Sequence, residues 1–477
     1  MTLIGRKAEK EWLQQYLSSN DPEFIVIYGR RRVGKTYLVK EFFKNDFFFY
    51  FTGVAKSNLS LHLERFATAC NEQFQTSRGV LDKLPPKTWM EAFDRLRRVI
   101  KASDPDERKV IFLDELPWMD TPKSGFIQAL DYFWNSFAST RKDILLIACG
   151  SASSWIVQKL FNDIGGLHNR VTGKLQLRPF SLKECEEYFK DKGVIIDRQD
   201  IVEAYMIFGG IPYYLHYWNP RYSLAHNVDR MLFYEDAPLK DEFENIFASL
   251  FKNSERHIEI IKALATKSSG MTRDEILDAL TTEDGGAFSE ILKNLELSGF
   301  IRRYPVFPGI KTKAIYQLVD SFSLFHEAFM REGRGINEHV WSDLVETPKL
   351  NSWRGYSFEQ VCLRHIDAIK VALGIGGVST SFFAWRSKNL KPGAQIDLVI
   401  DRADRVINLC EIKFSKYEYE MRQKDVDDLR NKRRAFEIES KTRKNIHLTF
   451  ISTYGLKRNN YAALVQSEVT MDDLFAC

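Results

Sequence analysis

The octapeptide Gly29–Thr36, GRRRVGKT, constrains this chain more than any other feature, because of what flanks it. Before it runs the apolar stretch Phe24-Ile25-Val26-Ile27-Tyr28, and after it a helical pattern from Tyr37 to Phe43. A strand, a glycine-bounded loop and a helix in that order form a cradle for phosphate. Gly29 and Gly34 let backbone amides turn inward, and the helix start adds the positive end of its dipole. Arg30, Arg31, Arg32 and Val33 complete the loop, Lys35 is expected to reach the β- and γ-phosphates, and Thr36 to ligate Mg²⁺. ATP or GTP is the ligand this pattern predicts.

A second apolar run ends in two acids, Val110-Ile111-Phe112-Leu113-Asp114-Glu115. Asp114 is placed to hold the Mg²⁺ hydration shell and Glu115 to polarise the attacking water. A third run, Ile144 to Cys149, reads as a central strand ending at Gly150-Ser151. Ser151 or Ser153 sits either near the γ-phosphate or at a helix cap. Runs at 24–28, 47–51, 110–115, 144–149 and 174–178 alternate with amphipathic helices, the mark of a parallel sheet covered on both faces. The aromatic run Phe47–Phe51 is expected to be a central buried strand.

At 477 residues the chain has room for roughly three domains of about 150 residues. Its hydrophobic share of 44% is that of a globular chain, and no stretch approaches the ~20 apolar residues of a membrane span. The start, Met1 to Arg6, runs into a charged helix instead of a signal peptide, so a cytoplasmic location and no membrane partner are expected. Six cysteines without paired spacing read as reduced core residues. The net charge of +4 does not itself imply nucleic acid. The basic run between Arg422 and Lys444, which includes Lys424, Arg430, Lys432, Arg433 and Arg434, is either a solvated helix face or a nucleic-acid contact.

From Ser181 to about 253 the pattern is helical, interrupted by Phe208-Gly209-Gly210-Ile211-Pro212, where the proline is a normal helix-start signal. Helices at 256–266, 272–280 and 287–298, then strands near 300–304 and 314–318, read as a winged helix. Its third helix is poor in cations, which points to packing more than to DNA reading.

In the last third, Asp397 lies in an apolar strand, and Glu411 and Lys413 lie two apart in the next. Period-two geometry puts Glu411 and Lys413 on one face, and Asp397 can meet Glu411 at the same end. Two carboxylates in one place need a cation, and oxygen ligands suit Mg²⁺ or Mn²⁺. Upstream, Glu359 sits on a helix with Phe358, Val361, Cys362 and His365 on its apolar face. Ser415 and Gln423 either assist this site or are ordinary surface residues.

The order of these motifs resembles the archaeal and bacterial ATPases of the AAA+/STAND group over residues 1 to 330. Ile4-Gly5-Arg6-Lys7-Ala8-Glu9 resembles that group's adenine-side box. The resemblance implies an α/β P-loop NTPase core, AAA+-like, at 1–180, a helical lid at 181–253 and a winged helix at 254–330. It also implies that Gly210 and Pro212 report nucleotide state to the lid. Arg170 resembles a phosphate-sensing or finger arginine, with a structural role equally open. After a linker at 331–351, residues 352–477 resemble a PD-(D/E)xK domain, an α/β restriction-endonuclease-like fold, although Ile396 stands where that motif has proline. That resemblance implies Glu359, Asp397 and Glu411 as metal ligands and Lys413 as the stabilising cation. The expected partners are ATP and DNA, with a homo-oligomer or protein partner also open. A signalling or scaffold ATPase and a winged-helix transcriptional regulator are the alternatives.

Overall fold

The computed structural model describes residues 3–74, 84–162, 167, 169–282, 284–305, 307, 314–331, 339–344, 347–387 and 392–476. The chain divides into two compact units, 1–179 and 180–477. Part of the expected 331–351 linker, and Cys477, lie outside the described residues.

The first unit is built on strands β1 (Glu23–Tyr28), β2 (Phe49–Thr52), β3 (Lys109–Asp114), β4 (Ile144–Gly150) and β5 (Gly173–Gln176). They pair in parallel in the order β2-β3-β4-β1-β5. Every residue of β3 and β4 is buried, as continuous apolar runs in a doubly covered parallel sheet should be. Because β1 sits between β4 and β5, its C-terminal end opens where the strand order reverses, the usual place for a ligand in such sheets.

Two expectations about these strands need correction. The aromatic run is not central: β2 is an edge strand that begins at Phe49, leaving Phe47 and Phe48 ahead of it. Its aromatic residues are covered by neighbouring layers instead. Phe49 and Phe51 pack on Phe66, while Phe47 and Tyr50 pack on Phe112. The last strand stops at Gln176, two residues before the expected end at Arg178, and β3 stops at Asp114, one residue before its expected end.

The second unit opens with helices Leu182–Asp191, Arg198–Phe208, Leu224–Leu232 and Glu242–Leu250. Ser181 and Glu184 form a reciprocal capping box at the first of them, a Ser-x-x-Glu signal legible in the chain. Helices Ser254–Ala265, Arg273–Leu280 and Gly286–Leu297 follow. With them goes an antiparallel sheet of β6 (Met271–Thr272), β7 (Ile301–Tyr304) and β8 (Ile315–Leu318), ordered β6-β8-β7. Thr272 and Glu275 cap the middle helix reciprocally, as their spacing predicts.

The unit closes with the Pro348–Arg364 helix and a second five-stranded sheet. Its strands are β9 (Thr380–Ser387), β10 (Ala394–Arg402), β11 (Val406–Lys413), β12 (Asn445–Ser452) and β13 (Ser467–Thr470), in the order β13-β12-β11-β10-β9. β10 pairs antiparallel with both β9 and β11, whereas β12 and β13 continue in parallel. The Gln423–Ser440 helix supplies the β11-to-β12 crossover that a parallel pair requires.

Polar contacts join these parts of the second unit. Arg354 pairs with Glu203, Arg386 with Glu275 at 2.8 Å, and Arg302 donates to the Leu363 carbonyl at 3.1 Å. His365 Nε2 accepts the Leu182 N–H at 2.9 Å, so its ring caps the start of a helix from a different part of the sequence. Nδ1 lies 2.7 Å from the Val361 carbonyl, which leaves Nδ1 as the protonated nitrogen. Burial holds His365 well below the usual imidazole range, at about 4.

Candidate functional site

The loop after β1 turns on two glycines. Gly29 has φ +147°, and a Cβ there would lie 2.3 Å from the Leu177 carbonyl oxygen, so no side chain fits. Gly34 has φ +91° and immediately precedes the Lys35–Phe42 helix. Arg32 also adopts a left-handed conformation. Arg6, in the adjacent N-terminal segment, is buried and donates to the Val33 carbonyl at 3.1 Å while pairing with Glu9 at 3.3 Å. Arg6, held by Glu9, therefore braces the loop.

Inside the loop, Lys35 Nζ donates to the Gly29 and Arg30 carbonyls, each at 3.1 Å. Burial pulls its ammonium below the ordinary lysine range, and Glu115 and Asp114 partly offset this. Thr36 Oγ1 lies 2.9 and 3.1 Å from the two carboxylate oxygens of Asp114. Burial, reinforced by the charge of Glu115, pushes Asp114 up to about 6 against the opposing Thr36 hydrogen bond. Glu115 leaves the strand with φ +49° and accepts from Ser151 Oγ at 2.9 Å. Ser151 thus orients the carboxylate, a role the sequence did not suggest. Ser153 is buried at the start of the short Ser153–Ile156 helix. A lysine, a hydroxyl and two acids converge on one loop, a donor set that fits a triphosphate with its hard cation.

The second cluster lies where β10 and β11 meet the Pro348–Arg364 helix. Leu398 pairs with Cys410, which puts Asp397 beside Glu411. On the other side of β10 the register with β9 shifts between Ile396 and Val399, a bulge that spans Asp397. Such a bulge re-aims one side chain without ending the strand. Asp397 accepts the Ile412 N–H at 3.2 Å. Burial, then the Glu411 charge, pushes it up to about 6. Glu359 is pushed well up by burial and by Asp397.

Glu411 behaves differently. Burial would raise it too, but Lys432 and Lys413 outweigh that and hold it low. Lys413 Nζ lies 2.7 Å from Oε1, and Lys432, from the Gln423–Ser440 helix, is hydrogen-bonded to Oε2. Burial would lower Lys413, but Glu411 outweighs it and raises its affinity for the proton. Among the described residues no three His, Cys, Asp or Glu side chains converge closely enough to hold a metal ion. Burial first, and then the charge of Asp397 at Glu359 and of Glu411 at Asp397, is what raises these two carboxyls.

Residues 3–218 match an ATPase domain predominantly from Archaea. Over those residues the chain is similar to the ATPase domains of that family. The chain is 28% identical over 367 residues to the uncharacterized protein MJECL04 of Methanocaldococcus jannaschii, covering 75% of this chain and 76% of that one. Over 42 residues it is 48% identical to the uncharacterized ATP-binding protein MJ0423 of the same organism, 71% of whose length is covered. Among solved structures it is similar to the Walker-type ATPase paby2304 of Pyrococcus abyssi. That match has a TM-score of 0.47 and 17% identity, over 68% of this chain and 96% of the other. The ORC2 protein of Aeropyrum pernix matches with a TM-score of 0.39 and 16% identity, over 68% and 93%.

The ATPase domain's α/β core brings together Gly29 to Thr36, Asp114, Glu115 and Ser151. Arg170 lies in an exposed turn ahead of β5. Gly210 and Pro212 belong to the second unit. Gly209 and Gly210 have φ +66° and +68°, and a Cβ on Gly210 would meet the Phe180 oxygen at 2.4 Å. Pro212 begins a one-turn helix. Ser415 donates its backbone N–H to Thr453 and its hydroxyl to the Tyr417 carbonyl, and Gln423 donates to Asp427. Lys432 is the residue that sequence reasoning assigned wrongly, as part of a charged face. Its spacing from Leu429 and Phe436, three and four residues away, places it on that helix's buried stripe, and this was the available signal. No helix of the described residues is long and apolar enough to cross a membrane.

Proposed function

We propose that this protein couples an ATP-hydrolysing switch to a metal-dependent nuclease acting on DNA. In the first unit Lys35 would hold the β- and γ-phosphates, Thr36 and Asp114 the Mg²⁺, and Glu115, oriented by Ser151, the attacking water. The bound Mg²⁺ would neutralise phosphate charge. In the second unit the Pro348–Arg364 helix and the mixed sheet form a PD-(D/E)xK arrangement. There Asp397 and Glu411 would be the ligands of Mg²⁺ or Mn²⁺, with Glu359 beside them, and Lys413 would stabilise charge developing on phosphorus. The observation that carries this reading is that Asp397, Glu411, Lys413 and Glu359, from three separate elements, act on one another electrostatically.

The 254–318 segment, three helices with a three-stranded antiparallel sheet, is proposed as a winged helix that couples the parts of its unit instead of reading DNA. The third helix presents Glu290, Lys293 and Glu296 to solvent, a face of net negative charge. One observation favours a second reading, a STAND-like scaffold whose C-terminal domain binds without cutting: both oxygens of Glu411 are already held by lysines.

Cleavage of supercoiled, linear, branched and single-stranded DNA with Mg²⁺ or Mn²⁺, with and without ATP, tests the proposal. Cleavage lost in Lys413→Ala and changed in rate by Lys35→Ala is the expected result. ATP hydrolysis without cleavage by any preparation would select the scaffold.

A further inference from the structure

The basic run from Arg422 to Lys444 separates in the structure into two kinds of cation. Lys432 turns inward to Glu411, Lys444 pairs with Asp401, and Arg433 pairs with Glu437 at 3.0 Å. Arg430, Arg434, Lys441 and Arg443 are exposed and, among the described residues, have no carboxylate partner. Arg430 and Arg434 lie four apart on the Gln423–Ser440 helix, away from the stripe of Val426, Leu429 and Phe436 that packs into the core of the sheet. Lys441 ends that helix in a left-handed conformation, and Arg443 follows in the turn to β12. Asn445 then donates its N–H to the Arg405 carbonyl at 3.0 Å, which brings the exposed Arg405 of the β10–β11 turn to the same end.

Helix stability does not account for the two arginines. Like charges four residues apart repel each other. The helix dipole rewards cations in the last turn, and the last turn of this helix has none. The acids of the helix are engaged elsewhere: Asp427 accepts from Gln423 at 2.8 Å, and Glu439 accepts from Ser387. From Arg430 to Lys441 the chain rises about 16 Å along the helix axis. A row of that length suits a linear polyanion, whereas a compact anion would need the cations to converge. Arginine's planar fork also matches phosphate oxygens two at a time.

We propose that this outer face is a docking surface for duplex DNA, with Arg430 and Arg434 on the phosphodiester backbone and Lys441, Arg443 and Arg405 extending the contact. Such contacts hold a duplex without reading its sequence. The proposal rests on the DNA-directed part of the reading above and on no metal. Arg405 and Lys413 stand at opposite ends of β11, so binding here is separable from chemistry at the acids.

Fluorescence anisotropy of a labelled duplex, with full-length protein in EDTA and without nucleotide, tests it over a series of salt concentrations. The double variant Arg430→Gln with Arg434→Gln should bind about tenfold more weakly. Its slope of log affinity against log salt should be shallower by about two, one for each lost phosphate contact. Lys252→Gln, which removes an exposed lysine elsewhere in the second unit, should stay within about twofold of the parent.

Binding by the parent with unchanged affinity and slope in the double variant would overturn this surface and leave the DNA-directed reading standing. Failure of the parent to bind duplex at low salt, whether or not it binds phosphatidylserine vesicles, would overturn both. Weaker binding and a shallower slope in the folded double variant, with no cleavage by any form in Mg²⁺ or Mn²⁺, would uphold the surface and sink the nuclease reading.

Discussion

The pair Glu203–Arg354 ties a helix near the start of the second unit to the helix that carries Glu359, five residues beyond Arg354. Both side chains are more than nine-tenths buried, and they are hydrogen-bonded directly. Replacing Arg354 by Met preserves most of the volume but strands the Glu203 carboxylate in the core. Removing one partner of a buried pair costs about 3 to 5 kcal/mol, most of it for the charge left behind. Removing both charges, as in Glu203→Gln with Arg354→Met, should recover at least about half of that loss, because no ion is left uncompensated. Urea unfolding followed by tryptophan fluorescence reads both values, since Trp341 and Trp353 lie in this unit's core. The same contact should matter at the acidic cluster, so Arg354→Met should also weaken Mn²⁺ binding while the double variant restores part of it. A double variant less stable than Arg354→Met alone would refute the reasoning, because the loss would then lie in packing and not in a stranded charge.

Three other outcomes follow from the geometry. Asp114→Asn should stabilise the nucleotide-free protein by about 2 to 3 kcal/mol at neutral pH while abolishing Mg²⁺-dependent hydrolysis, read by thermal melts and phosphate release. The sign follows from its raised folded-state pKa of about 6: Asp114 favours the fold below the ordinary carboxylate range, and that contribution is lost as pH rises through 6. His365 has the opposite sign. With its folded-state pKa depressed to about 4, its contribution is whole above about 6.5 and should decline by about 3 kcal/mol as pH falls to 4, a loss absent from a folded His365→Gln variant. Gly29→Ala should lose nucleotide binding together with a few kcal/mol of stability, since its Cβ collides with the Leu177 carbonyl at a positive φ; a melting temperature within about a degree of the parent would contradict this.

Much of the nucleotide site was legible because its chemistry is local. Gly29, Gly34, Lys35 and Thr36 are neighbours in the chain, and their roles follow from one loop joining a strand to a helix. Asp114 and Glu115 were legible for a related reason: an apolar run ending in acids marks the end of a buried strand. The contact of Ser151 was not, because its hydroxyl meets Glu115 only once β3 and β4 pair. The Phe47–Phe51 run shows the limit of pattern reading. Aromatic content reports that a segment is covered, and edge or centre depends on strand order, which periodicity does not encode.

In the C-terminal sheet the division is sharper. Sequence by itself determined that Glu411 and Lys413 share a face, since alternation along a strand is a property of the backbone. It also determined that Glu359 rides on a helix with an apolar face. Only the tertiary structure decided that a register shift would aim Asp397 at them, and that Lys432 would come from 21 residues away to close the second oxygen of Glu411. The physical reason is range. Periodicity is written within an element, whereas a bulge depends on its partner strand, and an ion pair between helix and sheet depends on where the crossover lands.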